Sequence, residues 1–216
     1  MTGLARPRGL TGDVPPAHDH AAAPTPPGRT DRRHPGCSGA AWPRGCASPY
    51  RPQVSGALHG EAVALRLGNA SASSAHFAVH SGAGAPPSSV DVLGEAVVSV
   101  PVRDSYRLAV QGPDRFRFEL SGSRTGEAAG VDVQARHTEH GLALELRNDG
   151  PQDITLRLRS VGHPGHEEQV RVAAGGAQPL AWPTHRGWYD VEITTPQDTT
   201  YRCRVTGRSD DARATG

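Results

Sequence analysis

Residues that could do chemistry fall into four groups. The first is a set of thiols and imidazoles near the N-terminus: His18-Asp19-His20, His34, Cys37 and Cys46. Zinc takes such ligands, but at short spacing on a scaffold that holds them. Here they sit among Pro15-Pro16, Pro24, Pro26-Pro27, Pro35 and Pro43, which break regular structure, so no metal site is expected. The second is His163-Pro164-Gly165-His166, two imidazoles in a short turn, read as a solvated loop. The third is a scatter of acids, Asp104, Asp114, Asp190 and Asp198, that could serve acid–base or Ser-His-Asp chemistry. They lie in turns and at strand edges, where Asp is a common turn former, and no Gly-x-Ser-x-Gly elbow accompanies them. The fourth is a series of Arg rows, Arg115 and Arg117, Arg157 and Arg159, Arg202 and Arg204. Guanidinium groups can hold phosphate bidentately. Glu119, Glu145, Asp190 and Glu192 are expected to share these sheets, so the expectation is a mixed, solvated face with opposite charges across strands. No catalytic residue, cofactor-binding residue or metal ligand is assigned from the sequence.

Composition excludes further chemistries. All 23 basic residues are Arg, so a P-loop, a Schiff-base lysine and a Ser-Lys dyad are ruled out. The net charge of +1 gives no reason to expect nucleic acid or an anionic membrane surface as partner. No run approaches the length of a transmembrane helix, and the early Arg residues are not followed by the apolar core of a secretion signal. Cys37, Cys46 and Cys203 are too few for a disulfide framework.

The elements that would carry these residues are strands. From Pro49 onward apolar residues recur with period two: Val63, Leu65 and Leu67; Phe116, Phe118 and Leu120; Leu142, Leu144 and Leu146; Ile154, Leu156 and Leu158; Tyr201, Cys203 and Val205. The strands are short and separated by turn clusters such as Gly82-Ala83-Gly84, Asn148-Asp149-Gly150-Pro151 and Pro196-Gln197-Asp198, a pattern of antiparallel sandwiches.

The strands also repeat. Val63-Ala64-Leu65-Arg66-Leu67-Gly68-Asn69 returns as Leu142-Ala143-Leu144-Glu145-Leu146-Arg147-Asn148. Ser105-Tyr106-Arg107-Leu108 returns as Trp188-Tyr189-Asp190-Val191, and Phe116-Arg117-Phe118-Glu119-Leu120-Ser121-Gly122 as Tyr201-Arg202-Cys203-Arg204-Val205-Thr206-Gly207. The fold class expected is all-β: two tandem antiparallel β-sandwich domains, at 49–123 and 130–208, after a disordered tail at 1–48 and before a short one at 209–216. One unit of this size buries only about 60% of its unfolded surface, so the copies are expected to lean on each other or on a third partner. Tyr106 and Tyr189 are expected in the core, with Trp188 facing the other way, and Cys203 fills the inward slot of Phe118 as an inert small hydrophobe.

Pro49-Tyr50-Arg51-Pro52, the Leu-x-Leu-x-Asn strand and Gly187-Trp188-Tyr189-Asp190 closing on Thr206-Gly207 resemble the C-terminal domain of bacterial phosphocholine-specific phospholipase C, which typically occurs twice in tandem. The resemblance covers residues 49–208. In that secreted family the domain follows a larger α/β catalytic domain that hydrolyses phosphatidylcholine or sphingomyelin. It therefore implies a non-catalytic accessory region whose partners are that catalytic domain and a phospholipid surface. Nothing in the chain matches the catalytic domain, so none of its functional residues carries over. The alternative is a stand-alone β-sandwich that binds carbohydrate or a surface. Residues 1–48 obey none of the periodicities of the rest. They mix Cys and Trp with Pro, Arg and Ala, as an out-of-frame reading of GC-rich DNA would. A frameshift or truncation near codon 48 is expected.

Overall fold

The computed structural model describes residues 48–82, 84–138, 141–162 and 165–209. The tail at 1–47, with His18, His20, His34, Cys37 and Cys46, lies outside the described residues, as do His163 and Pro164 and the stretch 210–216. The expectations of disordered tails and of a frameshift fall on those residues.

The first copy supplies β1 (Pro52–His59), β2 (Ala62–Asn69), β3 (Ala75–His80), β4 (Ser88–Val92), β5 (Gly94–Pro101), β6 (Ser105–Gln111) and β7 (Arg117–Ser123). The second supplies β8 (Val131–Thr138), β9 (Gly141–Asn148), β10 (Ile154–Ser160), β11 (Glu167–Val172), β12 (Gly176–Trp182), β13 (Trp188–Thr195) and β14 (Asp198–Arg208). Among the described residues every strand pair is antiparallel. Among the described residues the other regular element is a 3₁₀ turn at Pro113–Arg115.

The copies are not separate sandwiches laid end to end. One sheet of six strands runs β12-β9-β8-β1-β2-β5, and one of eight runs β11-β10-β13-β14-β7-β6-β3-β4. Each copy gives three strands to the first sheet and four to the second, in mirrored order. A pseudo-two-fold axis therefore passes between β1 and β8 in one sheet and between β7 and β14 in the other. The β7·β14 seam pairs five residues on each strand, from Arg117↔Thr206 to Ser121↔Arg202. The β1·β8 seam pairs only Gln53↔Arg136 and Val54↔Ala135. Where these two strands part, the Asp132 carboxylate accepts a hydrogen bond from the Gly56 amide at 3.2 Å, standing in for a ladder bond.

The inward faces are those the period-two pattern assigned. Val63, Leu65, Leu67, Phe116, Phe118, Leu120, Leu142, Leu144, Leu146, Ile154, Leu156, Leu158, Tyr201, Cys203 and Val205 are all buried in one continuous core. A Cβ on Gly56 of β1 would stand 2.9 Å from the Leu120 side chain of β7, so any larger residue there would force that side chain to shift.

Two devices recur in both copies. Asn69 and Asn148 end β2 and β9 and are almost fully buried. Each uses its amide to close the following turn: Asn69 Nδ2 donates to the Ser73 carbonyl at 2.5 Å, and Asn148 Nδ2 to that of Gln152 at 2.8 Å. Their oxygens accept from the amides of Arg51 and Gly150, both at 3.0 Å. Hence the asparagine at the end of the Leu-x-Leu repeat: a short side chain carrying both donor and acceptor. The second device pairs Tyr106 with Gly122 and Tyr189 with Gly207 across neighbouring strands. Each tyrosine ring lies over its glycine, so a Cβ on Gly122 would meet Tyr106 Oη at 2.6 Å.

Candidate functional site

The most structured polar surface is the outer face of the eight-stranded sheet, at the β7·β14 seam. Glu192 of β13 accepts from Arg159 Nε at 2.8 Å and from Arg202 Nε at 2.5 Å. Arg202 Nη1 reaches Glu119 at 2.9 Å, and Arg117 meets the other oxygen of Glu119 at 2.6 Å. Beside this chain, Arg204 holds Asp190 with two bonds of 2.8 and 2.7 Å. Partial burial opposes ionisation of Glu119 and Glu192, but the hydrogen bonds from Arg202, and from Arg159 for Glu192, outweigh it and hold both carboxyls below their usual range. The expected cross-strand opposite charges are present. The network is less solvated than the sequence suggested: the side chains of Arg202 and Arg204 are only 30% and 29% exposed.

Next to the network lies a concavity of about 310 Å³ lined by His80, Arg107, Arg117, Glu119, Ser121 and Arg202. The His80 Nε2 atom is buried there and makes no hydrogen bond. Such a surface can hold an anion electrostatically, but its cations are largely committed to Glu119 and Glu192.

A second concavity, about 300 Å³, lies at one end of the second copy among His166, Trp182, His185, Trp188 and Tyr189. Trp182 is buried and meets the His166 ring edge-on at 4.7 Å. Tyr189 is buried in the core, as expected. It hydrogen-bonds His137 of β8, and the two rings stand edge to face at 5.3 Å. Trp188 points the other way and is half-buried. Arg115 of the first copy and Arg208 lie over its ring at 5.7 and 5.6 Å. These cation–π contacts make Trp188 a clasp between the copies, which no motif in the sequence signalled.

The candidate acids are dispersed. The Asp114 carboxylate accepts from the Ser48 hydroxyl, just before β1. Asp198 accepts from Ala128 N at 3.3 Å, Thr200 N at 3.0 Å and Thr200 Oγ1 at 2.6 Å, just before β8. Both Asp residues therefore anchor the chain where it enters a copy. Asp190 is the ion-pair partner of Arg204, and the Asp104 carbonyl accepts from Arg124 N at 2.9 Å. His166 lines the same concavity as Asp190 but pairs with Glu168, at 3.5 Å. Cys203 is fully buried in the slot expected of it, and burial pushes its thiol pKa up. Among the described residues no three His, Cys, Asp or Glu side chains converge as a metal ion would need.

The residue overlooked at the sequence level is Asp132. At an outward position of β8 it looks like any solvated acid, yet it is buried deeply enough in a polar groove of about 390 Å³ to raise its pKa, although Gly56 N–H and Arg66 oppose the shift. Only the narrow β1·β8 seam creates that role, and the seam is a tertiary feature.

These features define a class: a duplicated antiparallel β-sandwich whose outer face carries cross-strand ion pairs and whose Asp114 and Asp198 anchor the chain entering each copy. Two stretches, residues 45–123 and 128–208, match the family described as bacterial phospholipase C, C-terminal domain. The chain belongs to that family, represented twice in tandem. The family places such a region at the C-terminus of a phospholipase C, which implies a catalytic partner domain in the parent enzyme. No curated protein matches the chain. No helix among the described residues is long and apolar enough to cross a membrane.

Proposed function

We propose that this chain is the non-catalytic C-terminal region of a phospholipase C that cleaves phosphatidylcholine or sphingomyelin, and that it supports the catalytic domain and helps present lipid to it. The observation that carries this reading is the family match over both copies, in order, across sheets that run continuously from one copy to the other. In support, Glu119, Asp190, Glu192, Arg202 and Arg204 are engaged in structural ion pairs rather than arranged as nucleophile, base and orienting group. The face offered to lipid headgroups is the outer surface of the eight-stranded sheet. Arg107 and Arg157 stand there without an ion-pair partner among the described residues.

The test has two arms. The purified chain, assayed with and without divalent metal, is expected to leave phosphatidylcholine and p-nitrophenylphosphorylcholine unhydrolysed. Turnover above a heat-killed control refutes the non-catalytic assignment. In flotation assays the chain is expected to associate with phosphatidylcholine vesicles, and Arg107→Ala with Arg157→Ala to lower the bound fraction. Absence of vesicle binding, with retention on a polysaccharide resin, favours the stand-alone carbohydrate-binding alternative.

A further inference from the structure

The two sheets end in four edge strands, and three of them are guarded. The strand β4 is short and carries Asp91, and β11 carries Glu167, Glu168 and Arg171. The strand β12 carries Pro179 at its centre. Charges, brevity and proline are the usual protections against an edge pairing with another chain. The fourth edge, β5, is eight residues long, Gly94-Glu95-Ala96-Val97-Val98-Ser99-Val100-Pro101, and has no internal proline or Lys. Leu93 and Val97, 67% and 64% exposed, are the exposed large hydrophobic residues of the described chain, and both lie on this strand or the turn leading into it.

The internal duplication supplies the control. Gly94 pairs with Asn69 as Gly176 pairs with Asn148, so β5 and β12 are pseudo-symmetry mates, and Val97 stands where Pro179 stands. Proline has no N–H, yet Pro179 keeps its place in the ladder opposite Glu145. The N–H at that position must therefore face away from β9, toward the free edge. By the same geometry Val97, opposite Arg66, directs its N–H and C=O outward. One copy blocks this edge with proline. The other offers hydrogen-bonding groups flanked by exposed apolar side chains.

We infer that β5 is a docking edge for β5 of a second copy of this chain, pairing antiparallel about a two-fold axis to continue the six-stranded sheet into one of twelve. Charge selects this occupant. Glu95 at the start of β5 and Arg103 just past its end are exposed and make no ion pair among the described residues. Antiparallel self-pairing sets the Glu95 end of each strand beside the Arg103 end of the other. The strand is thus complementary to itself, as a two-fold interface requires. Except opposite Pro101, which has no N–H, the outward groups find partners, and Val97 of each copy is covered by the other. The inference is independent of the phospholipase reading, since it concerns the chain alone and reads mass rather than lipid or turnover.

Sedimentation velocity of residues 1–216 over a concentration series tests it. The expected result is a reversible shift from one chain mass to two, with no growth beyond two. Val97→Pro, which copies the guarded edge, should abolish the shift while leaving the circular dichroism spectrum unchanged. Should that variant misfold, Val97→Lys is the substitute. Glu95→Arg alone should weaken the dimer at least tenfold, and adding Arg103→Glu should restore it. A monomer at every concentration, a dimer unaffected by the folded Val97 variant, or open-ended aggregation would each overturn the proposal. In the reverse direction, Pro179→Val should open a second edge and produce species larger than two chains. Its failure to do so would show that proline is not what guards β12.

Discussion

Tyr106 and Tyr189 show how much one side chain carries in this molecule. Each lies over a cross-strand glycine that leaves room for it. Burial pushes the Tyr106 hydroxyl to about 12 and the Tyr189 hydroxyl higher still, so both remain neutral phenols at any pH the fold meets. Truncation of either removes a ring and leaves a void facing a residue with no side chain to fill it. Tyr106→Ala and Tyr189→Ala are each expected to cost about 3 kcal/mol, the scale for a buried aromatic, measured by urea denaturation. Gly122→Ala, which forces a methyl group against the Tyr106 ring, should cost about 1–3 kcal/mol by overpacking. Gly68→Ala, whose nearest neighbour is 3.3 Å away, should be milder. Equal effects of the two glycine changes would mean that the tyrosine does not depend on the gap.

At the scale of elements, the ion pairs run across four neighbouring strands, of which only β13 and β14 are joined directly by the chain. Glu192 on β13 links Arg159 on β10 with Arg202 on β14, and Arg202 continues to Glu119 on β7, in the other copy. Glu119 and Glu192 have folded-state pKa values below their unfolded ones. Their contribution to stability is therefore present above the unfolded carboxyl pKa of about 4.3, and it is lost as pH falls through the lower folded values. Urea midpoints should hold between pH 7 and 5 and then decline. Arg202→Met, which removes the cation shared by both carboxylates, should flatten that decline. An Arg202→Met curve parallel to that of the unmodified protein would show that other carboxylates set the acid limit.

At the scale of the whole molecule, two shared sheets leave neither copy complete. Cutting the chain between them exposes β1 and β7 on one side and β8 and β14 on the other, including the core faces of Phe118 and Val205. Residues 45–126 made alone should lack a cooperative unfolding transition or self-associate through the uncovered edges. A stable, monomeric half-molecule would contradict this. For the same reason the intact protein should unfold in one transition, with Tyr106→Ala and Tyr189→Ala shifting the same midpoint although they lie in different copies.

Much of this was legible in the chain. Strand identity, the phase of each strand and the duplication depend on local alternation, because side chains alternate between faces whatever the partner strand. So the inward placement of Phe118, Cys203, Leu144 and Tyr189 and the outward Arg rows with their opposite charges follow from sequence. The family was equally legible, since it rests on the order of those same local segments. The choice of partner for each strand end was not. Period two cannot distinguish two closed sandwiches from one sandwich built of two halves, because both bury the same faces. The swap of Val97 for Pro179 acquires meaning only once both positions are known to lie on free edges. Asp132 at the β1·β8 seam and Trp188 between Arg115 and Arg208 likewise draw their roles from residues far away in the chain. Those roles were decided when the sheets closed across the pseudo-two-fold axis.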